Sequence, residues 1–315
     1  DPRHERHVRA GEDRDPDRVR VLLDRGLDDL LRRLVEAGVD DLHPGVAEGP
    51  RDDLRAPVVT VQAGLRDHHS DLPGHGVGKY MDVRLSVIGS SPAWPNPGGA
   101  CSGYLVDGRL LLDCGPGVLA NLRLREPWPG VEAIAITHLH LDHWGDLIPW
   151  VWGSLFGPGR GKRPSVWLPP GSLAQLKPIL ARLGSEDMLD RAFDVAEYEA
   201  GTPFTAAGLE LTALPVAHYD IDAYGFRVRG DRTLGYSGDS GPCGALAELA
   251  RDTDLFVCEA TLERPELDGP QRGHLAPEEA AAAGAGARRL LLTHRPYELP
   301  APDAELAYDR LELDL

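Results

Sequence analysis

Lysine is almost missing from this chain: three of 315 residues, Lys79, Lys162 and Lys177. No lysine-rich surface for tracking the phosphates of a polymer is therefore present. Acid exceeds base, with 50 Asp and Glu against 33 Lys and Arg and a formal charge of -17. Such a surface repels a polyanion unless bound cations override it. Long nucleic acid is thus a poor partner, while a small anion drawn to bound metal is allowed. Cysteine is also sparse. Cys101, Cys114, Cys243 and Cys258 are scattered, without a C-x-x-C pair, and read as thiols of a reducing compartment rather than a disulfide framework. No run reaches the roughly 18 apolar residues of a membrane span. No N-terminal apolar segment resembles a secretory signal. The expected location is the cytoplasm, with no membrane association.

What is present divides unequally. Residues 1–80 are dense in Asp, Arg, His and Pro, as in Asp1-Pro2-Arg3-His4-Glu5-Arg6-His7. Met81 is one of two methionines and precedes the first convincing strand, Val83 to Ile88. Residues 1–80 are read as a low-complexity extension, either disordered or upstream of the natural start. The alternative is a genuine helix over 17–38, where Leu23, Leu27, Leu30, Leu31 and Leu34 fall at helical spacing. Residues 81–315 form the second unit.

Within 81–315, short strands alternate with short helices. Strands are expected at 83–88, 102–106, 109–113, 131–137, 164–168, 208–217, 222–228, 233–237, 254–259 and 289–293. Helices are expected at 116–124, 144–156, 171–183, 243–251 and 277–286. The last begins with Pro277 at N1 and Glu278 and Glu279 in its first turn, where carboxylates suit the helix dipole. Strands outnumber helices and often follow one another directly. This favours two packed sheets with helices outside over one doubly wound sheet.

The densest chemical signal is Thr137-His138-Leu139-His140-Leu141-Asp142-His143, directly after the apolar run Val131 to Ile136. Imidazole and carboxylate bind borderline divalent metals such as zinc. Three later segments also end apolar runs in ligand-type residues: Leu214-Pro215-Val216-Ala217-His218, Tyr236-Ser237-Gly238-Asp239 and Leu291-Leu292-Thr293-His294. Singly, each is as well read as a cap or turn residue. Together with the first cluster they describe one metal site.

The combination resembles the metallo-β-lactamase superfamily over nearly all of 81–315. His138-x-His140-x-Asp142-His143 matches its H-x-H-x-D-H motif, and His218, Asp239 and His294 match the remaining ligand positions in order. The resemblance implies an αββα sandwich, two mixed sheets flanked by helices, with two divalent ions at one edge. Zinc is the first candidate, and manganese or iron would suit the same mixed set. His138, His140 and His218 would hold one ion; Asp142, His143 and His294 the other; Asp239 would bridge them. Asp113, in Leu112-Asp113-Cys114-Gly115, matches an early aspartate that orients a liganding histidine, although Asp before Gly also starts turns. Such an ion pair can supply the attacking hydroxide, with Asp142 counted among the catalytic residues.

Gly273-His274-Leu275-Ala276-Pro277 and Val257-Cys258-Glu259 resemble the RNase Z-like phosphodiesterase branch. There the histidine contacts the scissile phosphate and the glutamate pairs with it. The helix opened by Pro277 is expected to offer its first amides to a phosphate oxygen. The branch's usual H-S-T reads His274-Leu275-Ala276 here, so its hydroxyl contacts are missing. Asp239 stands only 21 positions after His218, too near for the arm that RNase Z enzymes of the common bacterial type carry. The match is closer to compact bacterial members such as cyclic-nucleotide phosphodiesterases, relatives of a kind that are often homodimers. The reading is a dinuclear hydrolase acting on a small phosphodiester. The alternatives are a tRNA 3′-endonuclease, a lactonase- or thioesterase-type acyl hydrolase, and a non-catalytic metal-binding scaffold. Trp144, Trp150, Trp152 and Phe156 either stack a base or form the core face of a helix. The basic stretch 157–164 reads as a connecting loop.

Overall fold

A computed structural model describes residues 84–157, 163–184 and 186–315. The expectations for residues 1–80, including the helix over 17–38, lie outside the described residues, as does most of the basic loop. Among the described residues, thirteen strands form two mixed sheets. The first has seven strands, in the order β13-β1-β2-β3-β4-β5-β6, and the second has six, in the order β12-β11-β10-β9-β8-β7. In the first sheet the strands are Arg84–Gly89 (β1), Gly103–Val106 (β2), Leu110–Leu112 (β3), Ala133–Ala135 (β4), Ser165–Leu168 (β5), Asp194–Glu197 (β6) and Glu312–Asp314 (β13). The second comprises Phe204–Ala206 (β7), Leu209–His218 (β8), Ile221–Arg229 (β9), Thr233–Tyr236 (β10), Leu255–Glu259 (β11) and Leu290–Thr293 (β12).

The apolar runs are continuous because both faces of their strands are covered. Along β3, Leu110 and Leu112 point between the sheets and Leu111 points out. Ala133 and Ala135 likewise face inward, while Ile134 and Ile136 face outward. In β11, Leu255 and Val257 point inward, and Phe256 and Cys258 outward. Outside the first sheet pack helices α1 (Val118–Arg125), α3 (Leu147–Phe156), α4 (Ser172–Arg182) and α5 (Met188–Ala192). Outside the second pack α6 (Gly244–Ala250) and α7 (Pro277–Ala283). This is the expected αββα sandwich. None of the described helices is long and apolar enough to cross a membrane.

All ten expected strands and all five expected helices form, with shifted ends. The missed strands β6, β7 and β13 each lie at a sheet edge. Edge strands are short and half exposed, so they carry little apolar signal. The five-residue α5 was missed too. The helix expected at 144–156 is two pieces: a single turn, α2 (Leu141–Trp144), and α3. His143 therefore sits in a helical turn that had been read as loop. The helix expected at 277–286 ends at Ala283 and finishes as a 3₁₀ turn over Gly284–Gly286.

The aromatic run divides. Trp150 is fully buried, with Trp128 edge-on to it at 6.3 Å between centroids. Trp144 is buried as well, while Trp152 is 42% exposed and Phe156 65% exposed. Trp150→Ala should therefore lower the unfolding free energy by about 3–5 kcal/mol. Trp152→Ala should cost about 1 kcal/mol or less. Urea denaturation of both variants checks the contrast; equal losses would contradict the assigned faces.

Candidate metal centre

In the first sheet β3 and β4 run parallel, in the second β8, β10, β11 and β12 share one direction, and side chains just past their C-terminal ends gather into one cluster. Their C-terminal ends therefore meet along one edge. Asp113 follows β3, His138 follows β4, His218 ends β8, Asp239 follows β10, Glu259 ends β11 and His294 follows β12. Asp113 (φ 58°) and His294 (φ 55°) lie in the left-handed region, strained for a residue with a side chain. His140 caps the start of the single turn α2, and His143 lies within it. That turn is drawn against the strand end by Cys114 N–H, which donates to the His143 carbonyl at 2.6 Å. The approach needs a glycine: a Cβ on Gly115 would sit 1.9 Å from the Asp142 carbonyl oxygen.

All seven expected ligands come together. His138, His140 and His218 form one group, and Asp142, His143, Asp239 and His294 a second, each with donor atoms within 4.8 Å of one another. Asp239 faces both. Its Oδ1 lies 3.3 Å from His143 Nε2 and 3.5 Å from His294 Nε2, and its Oδ2 lies 3.9 Å from His218 Nε2. Asp142 Oδ2 is 3.2 Å from His294 Nε2 and 3.3 Å from His143 Nε2. All are buried except His140, which is half-buried.

The outer hydrogen bonds set the tautomers. Thr137 Oγ1 donates to Asp113 and so accepts from His138 Nδ1 at 3.0 Å. His143 Nδ1 donates to Asp113 Oδ2 at 2.7 Å. His218 Nδ1 donates to the Gly273 carbonyl at 2.7 Å. Thr261 Oγ1 donates to Glu259 Oε2 and accepts from His294 Nδ1 at 2.9 Å. In the neutral ring each Nδ1 then carries the proton and each Nε2 offers a lone pair inward. His140 is reversed, with Nδ1 2.9 Å from His218 Nε2.

Cations fit this donor set. The buried atoms His138 Nε2, His143 Nε2 and Asp239 Oδ1 have no hydrogen-bond partner, and buried polar atoms rarely go unpaired. Burial pushes His138 well below its ordinary pKa, and burial also lowers His140 and His218. These three rings are neutral, as ligands must be. Burial opposes charge on His143 too, yet Asp239, Asp113 and Asp142 outweigh it and raise its pKa well above the usual value. Burial likewise works against ionised Asp142 and Asp239, and the neighbouring His143 pulls both well below the carboxylate range.

Glu259 is fully used. It accepts from Ser240 N–H (3.0 Å), Thr261 N–H (3.0 Å), Thr261 Oγ1 (2.8 Å), Leu275 N–H (3.2 Å) and His274 Nδ1 (2.8 Å). Burial opposes protonation of His274, but the charge and hydrogen bond of Glu259 prevail and raise its pKa to about 9. A His274 ring nitrogen lies within 4.8 Å of the His218 and Asp239 donors.

One expectation fails. The amides leading into α7, from Gly273 to Ala276, are not open to phosphate, and in its first turn Glu279 N–H donates to the Ala276 carbonyl. Gly273 and His274 N–H donate to Asp268 Oδ2, Leu275 N–H to Glu259, and Ala276 N–H to Glu279 Oε2. The chain's own carboxylates satisfy them. Sequence reasoning also missed Thr137, Thr261, Tyr219, Tyr236 and Asp268. Tyr236 donates to Asp113 Oδ2 at 2.7 Å. Tyr219 packs on Gly273, where a Cβ would meet its ring at 2.3 Å. A threonine directly before a strand-end histidine recurs at Thr137-His138 and Thr293-His294, a signal that was available. The others carry none.

The chain belongs to the beta-lactamase superfamily, whose domain is matched over residues 108–295. It is a metallo-β-lactamase-fold hydrolase with relatives in the RNase Z-like branch. It is similar to an uncharacterized protein of Mycobacterium leprae (strain TN), 36% identical over 234 residues, 71% of this chain and 81% of that protein. It is similar to YhfI of Bacillus subtilis (strain 168), named a probable metallo-hydrolase, at 29% over 225 residues, 68% of this chain and 88% of YhfI. The YhfI crystal structure superposes with a TM-score of 0.64 at 24% identity, over 74% of this chain and 100% of that one. Ribonuclease Z of Mycobacterium bovis (strain BCG / Pasteur 1173P2) is 27% identical over 240 residues, 67% of this chain and 85% of the enzyme.

Asp113→Ala strands four buried donor contacts and should cost about 3–5 kcal/mol. Asp113→Asn should weaken metal affinity by about 10–100-fold, measured by competition with a chromogenic chelator. The raised pKa of His143 means that its proton is lost only as pH rises. Zinc uptake should therefore weaken as pH falls and should release protons. Calorimetry in buffers of different ionisation enthalpy checks this; uptake without proton release would contradict it.

Proposed function

We propose that the chain is a dinuclear metal-dependent phosphodiesterase acting on a small phosphodiester such as a cyclic nucleotide. The observation that carries this reading is the His274–Glu259 pair beside the ligand cluster. Two divalent cations, zinc in the first place with manganese or iron as substitutes, would be held by His138, His140, His218, Asp142, His143 and His294, with Asp239 between them. Bound there, they would supply Lewis acidity and acidify a water at neutral pH. The protein's own groups do the rest. Asp113, Thr137, Thr261 and the Gly273 carbonyl fix the imidazole orientations. Glu259 holds His274 Nδ1, leaving Nε2 for the cleft. A His274 pKa of about 9 keeps it protonated at neutral pH. It thus places a positive charge beside a phosphate oxygen and a proton where a leaving oxygen needs one.

The stretch from His218 to Asp239 speaks against a tRNA substrate. It is taken up by the β8–β9 turn, β9, the turn into β10, and β10 itself, with no arm. The net charge of -17 acts the same way.

Full-length protein loaded with Zn²⁺ or Mn²⁺ should hydrolyse bis-p-nitrophenyl phosphate, and His140→Ala should abolish turnover. No turnover by the loaded wild type would refute the reading. Glu259→Gln removes the charge that raises the His274 pKa. The alkaline limb of its pH profile, where His274 loses its proton, should move to lower pH, with kcat reduced by about 10²-fold or more. An unchanged profile would favour acyl chemistry.

A further inference from the structure

Beside the metal centre lies a cavity of ≈ 280 Å³ lined by Leu139, His140, Pro169, Pro170, Ser172, Gln175, Asp220, Ile221 and Asp222. It lies near the lower end of the roughly 300–1,000 Å³ range of small-molecule pockets, room for one compact group. His140 belongs to both the cavity wall and the ligand cluster, so the two spaces share a side chain.

The wall has a definite chemistry. Ser172 is 1% exposed, and its Oγ has no hydrogen-bond partner. It stands first in α4 yet caps nothing: the amides flanking it, Gly171 N–H and Leu173 N–H, donate to Glu197 at 2.9 and 2.7 Å. A buried hydroxyl left unpaired by the protein calls for a polar group from elsewhere. Across the cavity stand Asp220, on the turn between β8 and β9, and Asp222, in the first residues of β9. Gln271 donates to Asp220 Oδ1 and so fixes that carboxylate. Carboxylates only accept hydrogen bonds, so they ask for donors. Among the described residues, no lysine or arginine lines the cavity.

We propose that this cavity is a substrate subsite for the neutral, hydroxyl-bearing part of a phosphate ester, a sugar ring or nucleoside, and that Asp220 and Asp222 exclude substrates carrying a second phosphate there. Ser172 and Gln175 offer mixed donor and acceptor groups, and the two carboxylates take hydroxyl protons. A second phosphate in the same place meets two like charges and no cation. The inference rests on the phosphoryl-transfer reading above and names the substrate class that reading leaves open.

The test is equilibrium binding to the zinc-loaded full chain, which needs no turnover. The probes are inorganic phosphate, adenosine 5′-monophosphate and adenosine 3′,5′-bisphosphate. The monophosphate should bind about tenfold or more tightly than inorganic phosphate, as one or two well-made hydrogen bonds allow. The bisphosphate should gain no such advantage. Ser172→Ala should lower the ratio of monophosphate to phosphate affinity by about 3–10-fold. Asp220→Asn with Asp222→Asn should raise the bisphosphate-to-monophosphate ratio by about tenfold. If inorganic phosphate does not bind at all, the phosphoryl reading falls and the subsite with it. If phosphate binds but the mono- and bisphosphate are equivalent, and neither variant changes the ratios, the subsite alone is refuted.

Discussion

The site depends on one buried carboxylate. Asp113 takes hydrogen bonds from Thr137 N–H and Oγ1, His143 Nδ1 and Tyr236 O–H. These donors come from the end of β4, the turn α2 and the end of β10, that is, from both sheets. A charge is tolerable in a dry interior only when several donors surround it. Here that requirement brings the two sheet ends together and aims His143 and, through Thr137, His138. The left-handed backbone at Asp113 is the local cost of that position.

Glu259 repeats the arrangement at the opposite side of the cleft. Its five donors tie the loop after β10, the strand end at Thr261 and the loop entering α7. Through Thr261 it orients His294, and directly it holds His274. Two carboxylates that face no solvent thus govern the orientation of four imidazoles. The carboxylates at the cleft centre, Asp142 and Asp239, have far fewer partners of their own.

Much of this was legible from residue pattern. Strands buried on both faces write themselves as unbroken apolar runs, which is why β3, β4, β11 and β12 were found. Their ends are marked by His or Asp because a ligand-type side chain has no reason to interrupt such a run unless it leaves the core there. The edge strands β6, β7 and β13 escaped because one backbone side and much of their surface face water. In β13, a single apolar residue, Leu313, stands between acids. The roles of Tyr219 and Tyr236 depend on contacts across 49 to 123 positions of sequence, and no local pattern encodes them. The amides before Pro277 misled for a related reason. A helix start announces free donors, while the carboxylates that consume three of them, Asp268 and Glu259, are named elsewhere in the chain.

The placement of the donors has a mechanical side. His138, His140, Asp142 and His143 belong to the half of the molecule built on the first sheet, and His218, Asp239 and His294 to the half built on the second. Any cation held by both sets is a cross-link between the halves, closing long loops that the unfolded chain leaves open. Because ligand binding to the folded form alone adds directly to stability, metal loading and resistance to unfolding are one thermodynamic variable in this protein. Sequestering the metal would loosen the sandwich along the very edge where its chemistry takes place.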